Sequence, residues 1–459
     1  MIPILAEIGR IVGPGQVLTG DAVSSRTRHA WSAEPLEALA LVRPASSGEV
    51  SHVLRLCHQH RQPVVTHGGR TGLSGGERAT AADLVLSLER MNRIEEIDPA
   101  GRTVTVQAGC TLQALHEAVD AEGLYFPLDL GARGSCTVGG NIATNAGGVT
   151  VIRYGMMRAQ VLGLEAVLAD GTVVSSMNRM LKNNSGYDLK QLFIGTEGTL
   201  GVVTRAVLAL RERPSSVCTV LLAVDDASKL APLLRHFDQR LGGQLSSFEA
   251  MWGDYYRAVT VPGGHAAPLE RDHAFYVLVE AQGADPDADA ARFEATVAAA
   301  WEAGLVTDAV LPKSRAERDH LWAIREDFGP IRHDRPMFTY DVSLPIGLMP
   351  DYVEEVEARV RARWPGGRFY AFGHLGDGNL HFVICPRVEA ADLHEQVDAA
   401  VYEPLARFGG AVSAEHGIGT EKRAWLHASR SPEEIEVMRL LKRSLDPHGI
   451  LNPGKVIPG

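Results

Sequence analysis

The sequence predicts an α+β protein of two or three domains, and three observations carry that prediction. Its 459 residues exceed the size at which a single hydrophobic core keeps growing. Helix and strand patterns alternate up to Arg211-Glu212-Arg213-Pro214, and beyond that point long apolar strands separated by helices suggest an antiparallel sheet with helices on one face. The composition is that of an ordinary globular chain. With 45% apolar residues and a formal net charge of −11, it disfavours nucleic acid and anionic membranes as partners, leaving small anions to individual arginines. The 5 scattered cysteines form no CxxC pair, which argues against disulfides, zinc ribbons and iron–sulfur clusters and for a reducing compartment. The opening MIPILAEIGRIVG lacks the pattern of a signal peptide, and no apolar run of about 18 residues predicts a transmembrane segment.

The first clear helix starts at a capping box, Ser46-x-x-Glu49, and shows Val50, Val53, Leu54 and Cys57 on one face. A strand at 63–67 leads into the glycine loop GGRTGLSGG (68–76), followed by strands at 83–88 and 103–109 and a helix around 112–122 that ends at Gly123. Next come a low-bulk stretch at 127–148, a hairpin at 164–174 turning on Asp170-Gly171, and a third glycine-rich stretch, IGTEGTLGVVT (194–204). The second part has strands at 217–224, 275–282, 338–345 and 368–373, with helices near 286–303 and 349–363. AEHGIG (414–419) and a helix capped at Ser431-Pro432-Glu433-Glu434 precede the closing ILNPGKV.

HLGDGNLH (374–381) sets two histidines at the ends of a run of turn-formers. A loop of Gly376-Asp377-Gly378-Asn379 pairs Leu375 with Leu380 and puts His374 opposite His381, with Cβ atoms roughly 5 Å apart on one face. Two histidines alone also fit a purely structural role. Glu415 is a third donor, and a carboxylate beside two imidazoles makes a three-ligand site for Zn²⁺, Mn²⁺ or Fe²⁺ with an open position for substrate. Three glycine clusters in one domain indicate a large cofactor laid against bare backbone, and successive N–H groups in GGRTGLSGG form a nest suited to a pyrophosphate. Neither GxxxxGK[ST] nor an opening GxGxxG is present, so a P-loop and a nicotinamide Rossmann site are disfavoured.

The segments GGRTGLSGG, PLDLGARGSCTVGGNIATNAGG, NNSGYDLKQLFIGTEGTLGVVT, GHLGDGNLHF, SAEHGIGTEK and LDPHGILNPGKV occur in the order found in the FAD-linked D-2-hydroxyacid dehydrogenases. The chain resembles that family from about residue 35 to 457, the hydroxyglutarate enzymes most, then the D-lactate dehydrogenases and the glycolate oxidase flavin subunit. The resemblance implies an α+β architecture. A two-subdomain FAD-binding domain of the vanillyl-alcohol-oxidase type would occupy 1–213, an α+β substrate domain with an antiparallel sheet and the metal hairpin 214–400, and a helical C-terminal segment returning to the flavin 401–459.

By the same resemblance, the pyrophosphate would lie on Gly68, Gly69, Arg70, Thr71, Gly72, Ser74 and Gly75. Gly134, Ser135, Gly139, Gly140, Asn141, Thr144, Asn145 and Gly147 would line the rest of the cofactor, with Glu197, Gly201 and Val203, and Asn452 would approach the ring. Arg70 stands where covalent relatives carry a histidine, so FAD would be non-covalent, and His67 would serve packing. The resemblance also implies zinc on His374, His381 and Glu415, His416 as the base, and Arg325 as the anchor for the substrate carboxylate; without it Arg325 reads as a helix-surface charge.

Gly329 and Thr339 replace a Thr and a Lys that bind substrate carboxylate in the hydroxyglutarate enzymes, and Val383 replaces an Asn, with Arg332, His333 and Arg335 as nearby substitutes. Those losses lean the expected substrate towards smaller or more apolar D-2-hydroxy acids such as D-lactate. The expected acceptor is an electron-transfer flavoprotein or a quinone. The expected compartment is the cytoplasm, with the inner face of a membrane left open; the oligomeric state is left open too, a homodimer included. Two other readings compete: a flavin subunit of a glycolate oxidase-like complex, and a metallohydrolase that uses the glycines only as scaffold.

Overall fold

Short apolar runs ended by glycine or proline, such as Val64–His67 before Gly68, make several strands of the first unit. In the computed structural model, which describes residues 3–261, 264–327 and 329–458, the chain divides into two compact units. The first comprises Met1–Gly148, Gly155–Arg213 and Glu415–Gly459; the second comprises Val149–Tyr154 and Pro214–Ala414.

The first unit holds two main sheets. One runs in the order Val17–Leu18, Ala40–Val42, Leu84–Ser87, Val64–His67, its last three strands parallel. The other is antiparallel, in the order Ile94–Asp98, Thr103–Gln107, Val202–Ala209, Val161–Val167, Val173–Ser176. Helix Ser47–His60 turns Val50, Val53, Leu54 and Cys57 into the core shared with these strands. Its capping box is incomplete, contrary to expectation: Ser46 accepts from the Glu49 N–H, but Glu49 reaches back to the N–H of Ala45 rather than Ser46. The reciprocal box forms at the last helix, Pro432–Leu445, between Ser431 and Glu434. After that helix the chain rejoins the parallel sheet, where Val64 donates to Ile450 and Asn452 to Val64.

The second unit is a seven-stranded antiparallel sheet in the order Asp308–Val310, Ser216–Val224, Phe275–Gly283, Leu245–Trp252, Arg368–His374, Asn379–Cys385, Phe338–Ser343. Helices cover both of its faces, not one as expected. Tyr255 and Leu321, on helices Gly253–Val259 and Arg315–Glu326, share a buried cluster with Phe372 and Val383. On the opposite face Phe237 of helix Leu230–Leu241 packs on Phe248, and Tyr352 of helix Met349–Arg363 on Phe382. The reason is visible in the strands: VCTVLLAV and FYVLVEAQ are apolar almost throughout, the signature of a sheet buried on both sides. All five cysteines are free, and no described helix is long and apolar enough to cross a membrane.

Candidate active site

In the first unit, strand Val64–His67 delivers the chain into loop 68–76. The loop lies directly on segment 135–140, since any Cβ on Gly69 would collide with the Ser135 carbonyl. A cavity of about 420 Å³ opens here, lined among others by Gly68, Gly69, Arg70, Ser135 and Thr137. Among the described residues, the N–H groups of Gly69 to Gly75 donate to no acceptor of the chain. Gly69 and Arg70 line the cavity, and donors without an acceptor in the chain at such a place are what a pyrophosphate would satisfy, so the residues fit FAD. His67 is buried with its ring on the Glu77 carbonyl, and burial pushes its pKa down to about 4, so it stays neutral.

The other residues expected around the cofactor divide by what their side chains do. Thr71 and Gly72 offer carbonyls to Trp31 and His29. Gly139, Gly140, Asn141 and Thr144 lie on helix Val138–Thr144, which Thr137 caps by accepting from Gly140, and Gly134 is in the turn before it. Asn145 closes the helix at φ 50° and accepts from the Arg158 N–H. Gly201 leads into the strand carrying Val203.

Glu197, Ser74 and Asn452 brace the chain. The Glu197 carboxylate accepts from the Ile418 and Gly419 N–H groups at 2.6 and 2.9 Å; burial pushes its pKa up against these bonds. Ser74 donates to the His416 carbonyl, and Gly419 takes φ 50° where a Cβ would strike the Ser74 carbonyl. Asn452 spends its amide on Thr66 and Glu197, and Glu415 packs on Gly147. Loop 415–419 is thereby fixed from several sides within this unit, with Glu415 and His416 at its start.

The second unit brings His374 and His381 together, though in a different register from the expected one. His374 pairs with Asn379 and His381 with Phe372, because a 3-10 turn at Leu375–Asp377 and Gly378 at φ 82° make the loop Leu375–Gly378. A shift of two keeps both side chains on the same face, as diagonal rather than opposed neighbours, with ring centroids 5.2 Å apart.

That face carries two buried acids the sequence reading did not single out. Glu249 lies opposite His374 and Asp341 opposite His381. Glu249 Oε1 is 2.8 Å from His374 Nδ1, and its Oε2 accepts from Arg325 Nε at 2.9 Å. Burial opposes the charge of Glu249, but His374 and Arg325 outweigh it and hold its pKa below the usual value. Asp341 Oδ1 is 3.9 Å from His381 Nδ1, and Oδ2 accepts from Ser413 and from the N–H of Ala414, the residue before Glu415. Burial pushes Asp377 up to about 6, with Glu249 and Asp341 adding to the effect and His374 opposing it. Two imidazoles on one face, one of them backed by a buried carboxylate, offer nitrogen donors of the kind that fits a divalent cation.

Arg325 is not a surface charge. It follows Leu321 and Ile324 on the buried stripe of its helix and is only 5% exposed, its guanidinium carbon 4.9 Å from the Phe372 ring centroid. Its Nη2 is 2.8 Å from Glu249 Oε2 but off the line of its N–H bonds, so this buried nitrogen has no aligned acceptor. Gly329 is half-buried, Thr339, Arg332, His333 and Arg335 are exposed, and Val383 is buried in the apolar cluster. The signal for the missed acids is a lone carboxylate in a strand otherwise built for burial, as in LSSFEAMW, where only a paired charge is tolerated.

Residues 38–176 match the FAD binding domain family, and residues 213–456 match the C-terminal domain of the FAD linked oxidases. Over 457 residues the chain is 39% identical to the mitochondrial D-2-hydroxyglutarate dehydrogenase of Bos taurus, covering 99% of this chain and 83% of that one. It is 41% identical over 431 residues to the D-2-hydroxyglutarate dehydrogenase of Xanthomonas citri pv. viticola, covering 93% and 90%. Among solved structures, p-cresol methylhydroxylase with substrate bound is similar at a TM-score of 0.76 and 15% identity, covering 99% and 96%. That last likeness is one of fold, and the α+β architecture of the vanillyl-alcohol-oxidase type is the one this chain has. The bovine relative is mitochondrial by name, which lends no support to the cytoplasmic expectation.

Proposed function

The chain belongs to the FAD linked oxidases, and on that premise we propose that it oxidises a D-2-hydroxy acid of D-lactate or D-2-hydroxyglutarate type to the 2-oxo acid. When bound, FAD supplies the hydride acceptor, and a divalent ion, zinc for choice, supplies the Lewis acidity that lowers the pKa of the substrate's α-hydroxyl. Residues 1–213 bind FAD in this reading, 214–400 carry the substrate and the metal hairpin, and 401–459 supply the base.

The chain's own groups divide the remaining work. The donor row of loop 68–76 holds the pyrophosphate without covalent attachment. His374, His381 and Glu415 hold the ion, Arg325 grips the substrate carboxylate, and neutral His416 accepts the hydroxyl proton. An electron-transfer flavoprotein or a quinone then takes the electrons. The observation that carries this reading is the histidine pair, 5.2 Å between centroids, on the sheet face that also holds buried Arg325 through Glu249.

The relatives' names favour D-2-hydroxyglutarate. Buried Val383 beside Phe372 and Tyr370 favours a smaller or more apolar side chain, and we put D-lactate-like acids first. Anaerobic mixing of the purified protein with D- and L-2-hydroxy acids tests the proposal through flavin absorbance. Bleaching by D-acids alone is expected. A yellow protein that no acid bleaches would point to a flavin subunit of a larger complex, and one that stays colourless after FAD is added would remove the flavin from the account.

A further inference from the structure

Glu249 is 1% exposed, and each of its oxygens serves a different partner. Oε1 meets His374 Nδ1, and Oε2 meets the Nε edge of Arg325. A carboxylate only accepts, so Nδ1 of His374 carries the proton and Nε2 is the ring nitrogen with the lone pair that an ion would take. On the other side, the guanidinium is fixed twice, by the carboxylate at one edge and by the Phe372 ring 4.9 Å from its carbon. Phe372 is itself the strand partner of His381.

The substrate's own geometry gives this arrangement its meaning. In a 2-hydroxy acid the carboxylate and the hydroxyl sit on bonded carbons, so the cation gripping one and the ion meeting the other must keep a fixed spacing. Misplacement by about 1 Å costs on the order of 10²-fold in rate. Two flexible side chains from a strand end and a helix would not keep that spacing unaided.

We propose that Glu249 is a shared positioning residue that sets the spacing between the carboxylate-gripping Arg325 and the ion-binding His374. The proposal rests on the dehydrogenase reading above. A merely structural ion pair would predict that loss of Glu249 lowers stability and leaves ion affinity and substrate KM unlinked.

The test uses the full chain with FAD bound. Zn²⁺ affinity of the metal-stripped protein is measured by competition with a chelating indicator, and KM and kcat at saturating Zn²⁺, for wild type and Glu249→Gln. A glutamine offers one acceptor oxygen and one amide donor, so it can accept from His374 or from Arg325 but not from both; meeting His374 with the amide N–H would move the imidazole proton to Nε2. Zn²⁺ affinity is expected to fall roughly 10- to 100-fold, the usual effect of losing a carboxylate behind a metal-bound histidine. In the same variant, KM for the best D-2-hydroxy acid is expected to rise about 10-fold or more, since a guanidinium turned out of line loses a charged hydrogen bond to the substrate.

Glu249→Asp is the second variant, for use if the first does not fold. It keeps the charge but withdraws it by one methylene, and both quantities are expected to move in the same directions by smaller factors. A folded variant with wild-type Zn²⁺ affinity and KM, or with only one of the two changed, overturns the shared role. A wild type that binds no Zn²⁺ overturns the metal-assisted part of the dehydrogenase reading, on which this proposal rests, so the two failures appear in different proteins.

Discussion

Arg325 and Glu249 face each other almost without water, and such a pair is far costlier to break than to replace. Removing one member leaves the other charge uncompensated, at about 3–5 kcal/mol. Arg325→Met is therefore expected to lose stability of that order in urea unfolding, and the double change with Glu249→Leu to recover part of it, while neither protein oxidises substrate. Full activity in either would contradict the anchor role. Val383 makes a specificity prediction. Val383→Asn restores a polar group at the position where hydroxyglutarate enzymes carry Asn, and should shift the kcat/KM ratio towards D-2-hydroxyglutarate over D-lactate by roughly 10-fold, the worth of one charged hydrogen bond; an unchanged ratio would contradict the apolar-pocket reading. His67 gives a pH signature. Burial lowers its pKa from 6.5 to about 4, so the unfolded chain binds the proton first as the solution is acidified. Its contribution is thus present above about pH 6.5 and lost as the pH falls towards 4, on the order of 3 kcal/mol in all. His67→Asn, which can still donate to the Glu77 carbonyl, should flatten stability over that window; an unflattened curve would contradict it. At this scale the sequence was readable where a residue's neighbours in the chain carry its meaning, as for His374 and His381 in one hairpin. It was silent on Glu249, whose partners lie 76 and 125 positions away.

Elements were readable to the extent that their signals are local. Proline, glycine and capping residues marked the hairpin at Asp170-Gly171 and the boxed helix Pro432–Leu445, and both form. The histidine hairpin forms too, but its register slipped by two because Leu375–Asp377 winds into a 3-10 turn and Asn379 joins the strand. Turn composition alone does not choose between those loops. Helices on both sheet faces went unforeseen because a continuous apolar strand tells that both sides are covered without telling by what. Loop 68–76 allows a direct element-scale check. Gly69→Ala drives a methyl into the Ser135 carbonyl, which must lift the loop off segment 135–140 and spoil the donor row. The purified variant is expected to lose most of its FAD on gel filtration while unit two is unaffected; full retention would show that the nest is not the pyrophosphate site.

For the whole molecule, family membership fixes the flavin chemistry, and the 2-hydroxy acid substrate is the proposal made above. What the residues add is the claim that a divalent ion on the histidine pair assists the oxidation. Stopped-flow bleaching of the flavin by the best D-2-hydroxy acid tests it most directly, run anaerobically on native protein, on protein stripped by a chelator, and on stripped protein given back Zn²⁺. The account predicts that stripping slows bleaching by at least about 100-fold, comparable to the loss of other electrostatic stabilisers of a developing alkoxide, and that Zn²⁺ restores it. Bleaching at an undiminished rate in protein shown to hold no metal would contradict it.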